Sequence, residues 1–500
     1  MRAADSIAPG NFKPEAPAVT QKTSRREFLE ISALGLAAAS VPAKLAPASV
    51  ASTTVAGVAP QMGAEISVWV TAGEERYASA PHIQWGAASG GTLTDQIQLD
   101  PSKKFQDILG FGGAFTDATC FTLNRLAPDT REKLLHEMFH PSEMALSVCR
   151  TCIGASDYSA SLYSFDDGEA DPTLARFSID HDRAYILPVL REARKANPDL
   201  FLFSSPWSPP GWMKFNGSML GGSMRNHYLP AYAQYMLKFL QGYAAEGVPI
   251  QAVTSQNEVD TDQDGKMPAC LWPQEYEMAF VSQHLGPLLE RSGVPTKIWI
   301  LDHNYNLWGR VVDELEDDAL RKYADGVAWH GYVGTPEMMS KVRDAFPDKP
   351  MYWTEGGADY DDPEYLTDWC RWGGTFSAVL RNWSRSITSW NLALDERGKP
   401  NIGPFSCGGL VTINSQTREI TRSGMFWAFA HFSRMIRRGA RRFESQSAAA
   451  ELSHIALENP NGQRVVVLTN AGAARIVELR VADKAARVQL KEKSLTTLAW

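Results

Sequence analysis

Two glutamates in this chain stand where a carboxylate does chemistry. Glu258 ends the run Pro249-Ile250-Gln251-Ala252-Val253-Thr254-Ser255-Gln256-Asn257-Glu258, and Glu355 ends Met351-Tyr352-Trp353-Thr354-Glu355 before Gly356-Gly357. Each run reads as a buried strand followed by a turn. A carboxylate at the carboxyl end of a parallel barrel strand faces the mouth, where such folds keep their reactive groups. Two carboxyl groups across one cleft are the equipment for cleaving a glycosidic bond. Either glutamate taken alone reads equally well as a helix N-terminal charge or a solvated loop residue.

The elements that would position them are legible. Between about Gln106 and Ala430, short apolar runs alternate with longer amphipathic stretches, which marks repeated strand-helix units. Eight strands are expected: Ile108 to Phe115, Ala145 to Arg150, Leu200 to Ser205, Ile250 to Gln256, Lys297 to Asp302, Gly326 to His330, Met351 to Glu355 and Ser386 to Leu392. A doubly wound sheet should show a glycine-rich ligand turn after its first strand. The count therefore favours an α/β fold of the closed (β/α)8 TIM-barrel type. Period-two runs flank it: Ile66 to Thr71 and Thr94 to Leu99 upstream, then Arg464 to Thr469, Ala474 to Val481, Arg487 to Leu490 and Ser494 to Trp500 downstream. Strands from both ends are expected to pair into one side β-sandwich. The implied division is 1–50 for a signal and linker, 60–104 and 433–500 for the sandwich strands, and 105–432 for the barrel.

Length and composition agree. The 500 residues exceed one barrel of roughly 250. A formal net charge of -8 argues against a nucleic-acid partner, whose phosphates call for a basic face. Fifteen Trp and fifteen Tyr suit a sugar-stacking cleft, although ordinary packing uses most such residues. Arg25-Arg26 precedes an apolar run from Ile31 to Val41, with small residues at Ala46-Pro47-Ala48, which is a twin-arginine export pattern pointing to a periplasmic or secreted protein. That run is too short to span a bilayer, so no transmembrane anchor is expected. Cys149 and Cys152 have C-x-x-C spacing, but they lie in a strand-like run with no second pair to complete a zinc site. No phosphate loop or dinucleotide fingerprint appears, and neither a metal nor a cofactor is expected.

The ordered motifs resemble glycoside hydrolase family 30, the glucosylceramidase-like retaining enzymes. They are Gly110-Phe111-Gly112-Gly113-Ala114-Phe115-Thr116-Asp117, Ser205-Pro206-Trp207-Ser208-Pro209, Gln256-Asn257-Glu258, His330-Gly331-Tyr332, Trp353-Thr354-Glu355-Gly356 and Ser389-Trp390-Asn391-Leu392-Ala393-Leu394. The resemblance implies Glu258 as acid/base and Glu355 as nucleophile of a double displacement. Glu258 must then hold a proton while Glu355 is ionised, and the neighbouring negative charge favours that division. It implies Asn257 beside the sugar 2-hydroxyl, Arg150 and Asp157 as ligands of the glycone hydroxyls, and Trp207 and Trp390 as pocket walls. It also places His330 and Tyr332 next to Glu355. The competing readings are a buried ion pair, core tryptophans and a satisfied core histidine. Asp117 reads better as a helix cap or structural partner than as a ligand.

Two stretches depart from the family pattern. Val259 replaces the usual proline and is followed by the acidic loop Asp260 to Lys266, and Asn401 to Gly409 does not reveal the asparagine that helps bind the sugar. Arg434, Arg437, Arg438, Arg441 and Arg442 form the one basic cluster, read as a solvated helix end with ion pairs or as an anion-contact surface. The resulting expectation is an exported retaining β-glucosidase acting on glucosylceramide-like lipids or β-linked gluco-oligosaccharides. The alternatives are an endo-acting β-1,6-glucanase or xylanase on the same site, and a non-catalytic carbohydrate-binding protein.

Overall fold

The computed structural model describes residues 65–88 and 95–500. The expected export segment, and Thr94 at the start of the second upstream strand, lie outside the described residues.

All eight expected barrel strands form and close. In chain order they are Gly110–Phe115, Val148–Ile153, Phe201–Pro206, Ala252–Thr254, Lys297–Asn304, Ala324–His330, Met351–Glu355 and Ser384–Ser389. Each pairs in parallel with its neighbours, and the eighth closes on the first through Ser386↔Gly110 to Ser389↔Gly113. These strands are buried on both faces, which is why they read as nearly unbroken apolar runs. The glycines of the first strand serve that closure: a Cβ at Gly112 would fall 1.9 Å from the Val148 carbonyl oxygen, and one at Gly113 would fall 2.6 Å from Ser389 Oγ.

Period-two alternation sorts the second strand into layers. Val148 packs at the barrel floor with Phe203, Ala252, Trp299, Ala328 and Tyr352. Arg150 stands in the middle, and Cys152 packs higher up with Trp207, Trp390 and Tyr158. Cys149 faces the other way, into the layer shared with the helices. The C-x-x-C pair therefore sits on opposite strand faces, and all six cysteines are free.

Two expected strands have different limits, with consequences for the site. The fourth, read as Ile250 to Gln256, is only Ala252–Thr254, so Glu258 sits four residues past it on a turn and adopts φ +54°. The eighth ends at Ser389, placing Trp390 and Asn391 beyond it.

The chain termini build a ten-stranded side sheet. Glu65–Ala72 pairs antiparallel with Ser494–Ala499, while Gln96–Asp107 lies between Arg441–Gln446 and Arg475–Val481. The sequence reading missed Glu75–Gln84, Gly86–Ala87, Arg441–Gln446 and Leu452–Glu458. The core of this sheet is mainly aliphatic, with Ile66, Ile97, Leu99, Val466, Leu468, Val477, Leu479 and Leu498 buried beside Trp85 and Phe443. Each such side chain contributes about 1.5–3 kcal/mol by leaving water.

In the basic cluster Arg437, Arg438 and Arg441 are exposed. Arg438 donates to the carbonyls of Leu109 (3.0 Å) and Ser147 (2.8 Å) beneath the barrel. Arg442 is buried, with its guanidinium 3.7 Å from the Phe105 ring centroid. Arg434 pairs with Glu143 at 3.2 Å. The expected solvated helix end with ion pairs therefore holds for most of the cluster, with the buried Arg442 as the exception.

Candidate active site

Arg150 organises the barrel mouth. It is fully buried, and each guanidinium nitrogen has a partner: Nε donates to Ser205 Oγ (3.0 Å), one terminal nitrogen to Glu355 Oε2 (2.5 Å), and the other to Asn257 Oδ1 (2.8 Å) and Asp302 Oδ2 (2.7 Å). A planar donor fork suits this task, whereas a lysine could satisfy only part of it. Burial works against the Arg150 cation, but Asp302 and Glu355 outweigh it and hold the group protonated more firmly than usual.

Glu355, at the end of the seventh strand, also accepts from the Tyr332 hydroxyl at 2.9 Å, and its Oε2 lies 3.8 Å from His330 Nε2. Glu258 approaches the same imidazole from the other side, with Oε1 3.4 Å from His330 Nδ1. Its Oε2 accepts from Gln263 Nε2 at 2.6 Å. Both carboxylates are buried and share one histidine ring, yet only Glu355 is directly bonded to the guanidinium. His330 loses hydration through burial, but Glu355, Asp302 and Glu258 together raise its proton affinity above the ordinary histidine value.

The other expected residues fall around this centre. Trp207 and Trp390 stack at 4.9 Å between centroids and form a wall over which the Arg150 guanidinium lies, 4.6 Å from Trp207 and 5.6 Å from Trp390. Neither indole N–H has a hydrogen-bond partner. Asn257 is fixed through its backbone N–H to the Pro206 carbonyl (2.8 Å). Asp157 is buried in the loop after the second strand, and its carbonyl accepts from Ile402 at 2.8 Å, which draws the 401–409 stretch over the mouth. Asn401 closes that stretch on itself, donating to the Phe405 carbonyl (2.6 Å) and accepting from the Gly403 N–H (2.6 Å). Asp117 bonds Ala160 N–H (2.7 Å), His181 (2.7 Å) and Tyr185, while the helix cap is Thr116.

Sequence reasoning missed three residues here. Asp302 accepts from Arg150, Ser205, Thr254 and Thr354 and meets His330 Nε2 at 3.0 Å. Burial disfavours its anion, but Arg150 and His330 overcome that and hold the carboxyl well below the usual range. His303 packs edge-on to His330 and bonds Asp260 through Nε2 at 2.5 Å. Burial opposes the Asp260 anion too, and the imidazole beside it prevails, lowering its proton affinity. Gln263 lies in the acidic loop with φ +52°, followed by Asp264 at +51°. Consecutive left-handed non-glycine residues are costly and concentrate at functional sites. The strain here delivers an amide to Glu258.

The sequence reading also passed over His136-Glu137-Met138-Phe139-His140, which has the spacing of a zinc-binding helix. The helix Pro128–Phe139 ends inside it, the two rings stack on the surface at 4.3 Å, and Glu137 is bonded to Arg422 (2.7 Å). It lies apart from the mouth.

A model of the glycosyl hydrolase family 30 TIM-barrel domain matches residues 108–436, and one of the family's beta sandwich domain matches 439–498. The chain belongs to glycosyl hydrolase family 30. It is a glycoside hydrolase. Among its relatives, an endo-1,6-beta-D-glucanase of Neurospora crassa is 31% identical over 414 residues, covering 78% of this chain and 85% of the relative. The lysosomal acid glucosylceramidase of Mus musculus is 30% identical over 410 residues, covering 77% and 79%. Among solved structures, SrfJ from salmonella typhimurium superposes with TM-score 0.83 at 27% identity, over 87% of this chain and 99% of that one. The endo-beta1,6-glucanase BT3312 gives 0.79 at 27% identity, over 87% and 100%.

Proposed function

We propose that this family 30 member hydrolyses β-glucosides by double displacement, with Glu355 as nucleophile and Glu258 as acid/base. The observation that carries this is the unequal treatment of two buried carboxylates around one imidazole: Arg150 and Tyr332 hold Glu355, while Glu258 receives the Gln263 amide. In the first step Glu355 attacks the anomeric carbon as Glu258 gives its proton to the departing oxygen. In the second, Glu258 takes a proton from water as that water releases the sugar. Arg150, Asn257 and Asp157 would hold the glycone hydroxyls, Trp207 and Trp390 would flank the ring, and His330 would keep both glutamates in place.

On the leaving-group side we favour a β-linked glucan over a glycolipid. The loop beside Glu258 is polar, and Gln263 Oε1 is buried without a hydrogen-bond partner, a group suited to a sugar hydroxyl. The names of the fungal relative and of BT3312 support the same reading. The glucosylceramidase relative supports the glycolipid reading, which the wild-type substrate panel decides. The amino-terminal arginine pair supports export to the periplasm or beyond. Among the described residues no helix is long and apolar enough to cross a membrane.

The test is hydrolysis of 4-nitrophenyl β-D-glucoside, β-1,6-glucan and glucosylceramide, with the product anomer followed by NMR. Release of β-anomer, with kcat lowered at least about 10⁴-fold in Glu355→Gln, is the expected result. An α-anomer would refute the double displacement.

A further inference from the structure

Around Glu258 the two histidines are arranged in a way that glycoside cleavage does not require. Each spends Nε2 on a carboxylate, His303 on Asp260 (2.5 Å) and His330 on Asp302 (3.0 Å). His303 leaves a buried Nδ1 without a hydrogen bond, and His330 turns its buried Nδ1 toward Glu258 Oε1 at 3.4 Å. A carboxylate behind an imidazole, fixing its tautomer and raising its basicity while the other nitrogen stays open, is the usual outer support of a metal-bound histidine. One ligand atom from each of Glu258, His303 and His330 lies within 4.8 Å of the others, and all three residues are buried. The His330 Nδ1 to Glu258 Oε1 separation of 3.4 Å is near the roughly 3.3 Å kept by two ligands of a tetrahedral ion.

Local charge also favours a cation. Asp302 and Glu355 pair with Arg150 while Glu258 and Asp260 meet His330 and His303, so with neutral imidazoles and Glu258 ionised these groups together carry an excess of negative charge. We propose that Glu258, His303 and His330 form a binding site for a borderline divalent ion such as Zn²⁺, Co²⁺, Ni²⁺ or Cu²⁺. Two imidazoles and one carboxylate suit these ions and not Mg²⁺ or Ca²⁺, which take oxygen ligands. Three protein ligands leave a fourth position for water. Binding itself needs no assumption about turnover. Its consequence rests on the reading of Glu258 as acid/base: an ion on that carboxylate removes it from the leaving-group oxygen, so the metal is a reversible inhibitor.

The experiment is calorimetric titration of the chelator-stripped full chain with ZnCl₂, together with CoCl₂ binding followed by visible absorption. One equivalent should bind with a four-coordinate Co²⁺ spectrum, and MgCl₂ should give no heat. His303→Gln and Glu258→Gln should each weaken Zn²⁺ binding at least about tenfold. The two variants are independent, so if one fails to fold the other decides. His136→Ala/His140→Ala, which removes the surface pair, should bind like wild type. Absence of stoichiometric binding, equal binding of Mg²⁺, or dependence on His136 and His140 would overturn the proposal. In turnover, Zn²⁺ should compete with substrate and EDTA should restore the rate. Site-dependent binding by a protein that hydrolyses no β-glucoside would uphold the metal site and refute the glucosidase reading. Hydrolysis without such binding would do the reverse.

Discussion

His330 at the barrel mouth and His431 at the seam with the side sheet are both completely buried, yet their chemistry runs in opposite directions. His330 is surrounded by Glu258, Asp302 and Glu355, which raise its proton affinity despite burial. His431 hydrogen-bonds the hydroxyls of Thr71 and Thr497, each at 2.8 Å, packs edge-on to Tyr77 at 5.0 Å between centroids, and burial pushes its pKa down to about 3. Burial alone therefore does not set a histidine's behaviour; the groups sharing the low dielectric do. The mouth concentrates buried charge around Arg150, whereas the sheet core is mainly aliphatic and has exposed ion pairs such as Lys491 with Glu75.

The comparison breaks most sharply at its cation. Arg150→Met would leave Asp302 and Glu355 buried beside no guanidinium, and urea unfolding should show a loss of about 3–5 kcal/mol along with activity. Lys491→Ala in the sheet, which removes the exposed 2.5 Å pair with Glu75, should cost no more than about 1 kcal/mol. Next, Glu258→Gln should lower kcat on an alkyl glucoside by about 10²–10⁴-fold, with a smaller loss on a nitrophenyl glucoside whose leaving group needs less protonation.

The seam gives a pH test. Because the folded His431 value lies below the ordinary 6.5, the unfolded chain takes up this proton first as pH falls. Its contribution to stability is full above about pH 6.5 and is lost toward pH 3, with a slope of up to about 1.4 kcal/mol per pH unit. His431→Gln should flatten that slope in urea titrations, whereas substitution at His330, whose shift is upward, should alter stability in the opposite sense as pH rises. The mildest change expected at the mouth is Gln263→Ala. It removes one charge-assisted hydrogen bond, worth about 1.5–3 kcal/mol, from Glu258. The kcat/KM pH profile should move to higher pH, with the nitrophenyl substrate least affected.

The sequence by itself determined the frame. Doubly buried parallel strands are written as apolar runs, so all eight were countable, and the two glutamates were recognisable because each followed such a run. The signals that failed have physical reasons. Arg441–Gln446 carries two arginines and a glutamate in six residues, and it forms a strand only because Gln96–Asp107 and Leu452–Glu458 lie on either side of it. Arg442 alone of the arginine cluster is buried, because the Phe105 ring it covers comes from a distant strand that the sequence does not announce. Asp302 lies inside an apolar run with only its type to mark it, and Gln263 sits in a loop whose left-handed turn starts on two non-glycine residues before it reaches Gly265. Only the tertiary structure brings residues 258, 303 and 330 around one point and sets Arg150 against four acceptors. Those contacts join different barrel strands and loops. Barrel closure fixes which side chains share one dry volume, and in that volume the neighbours decide each group's charge.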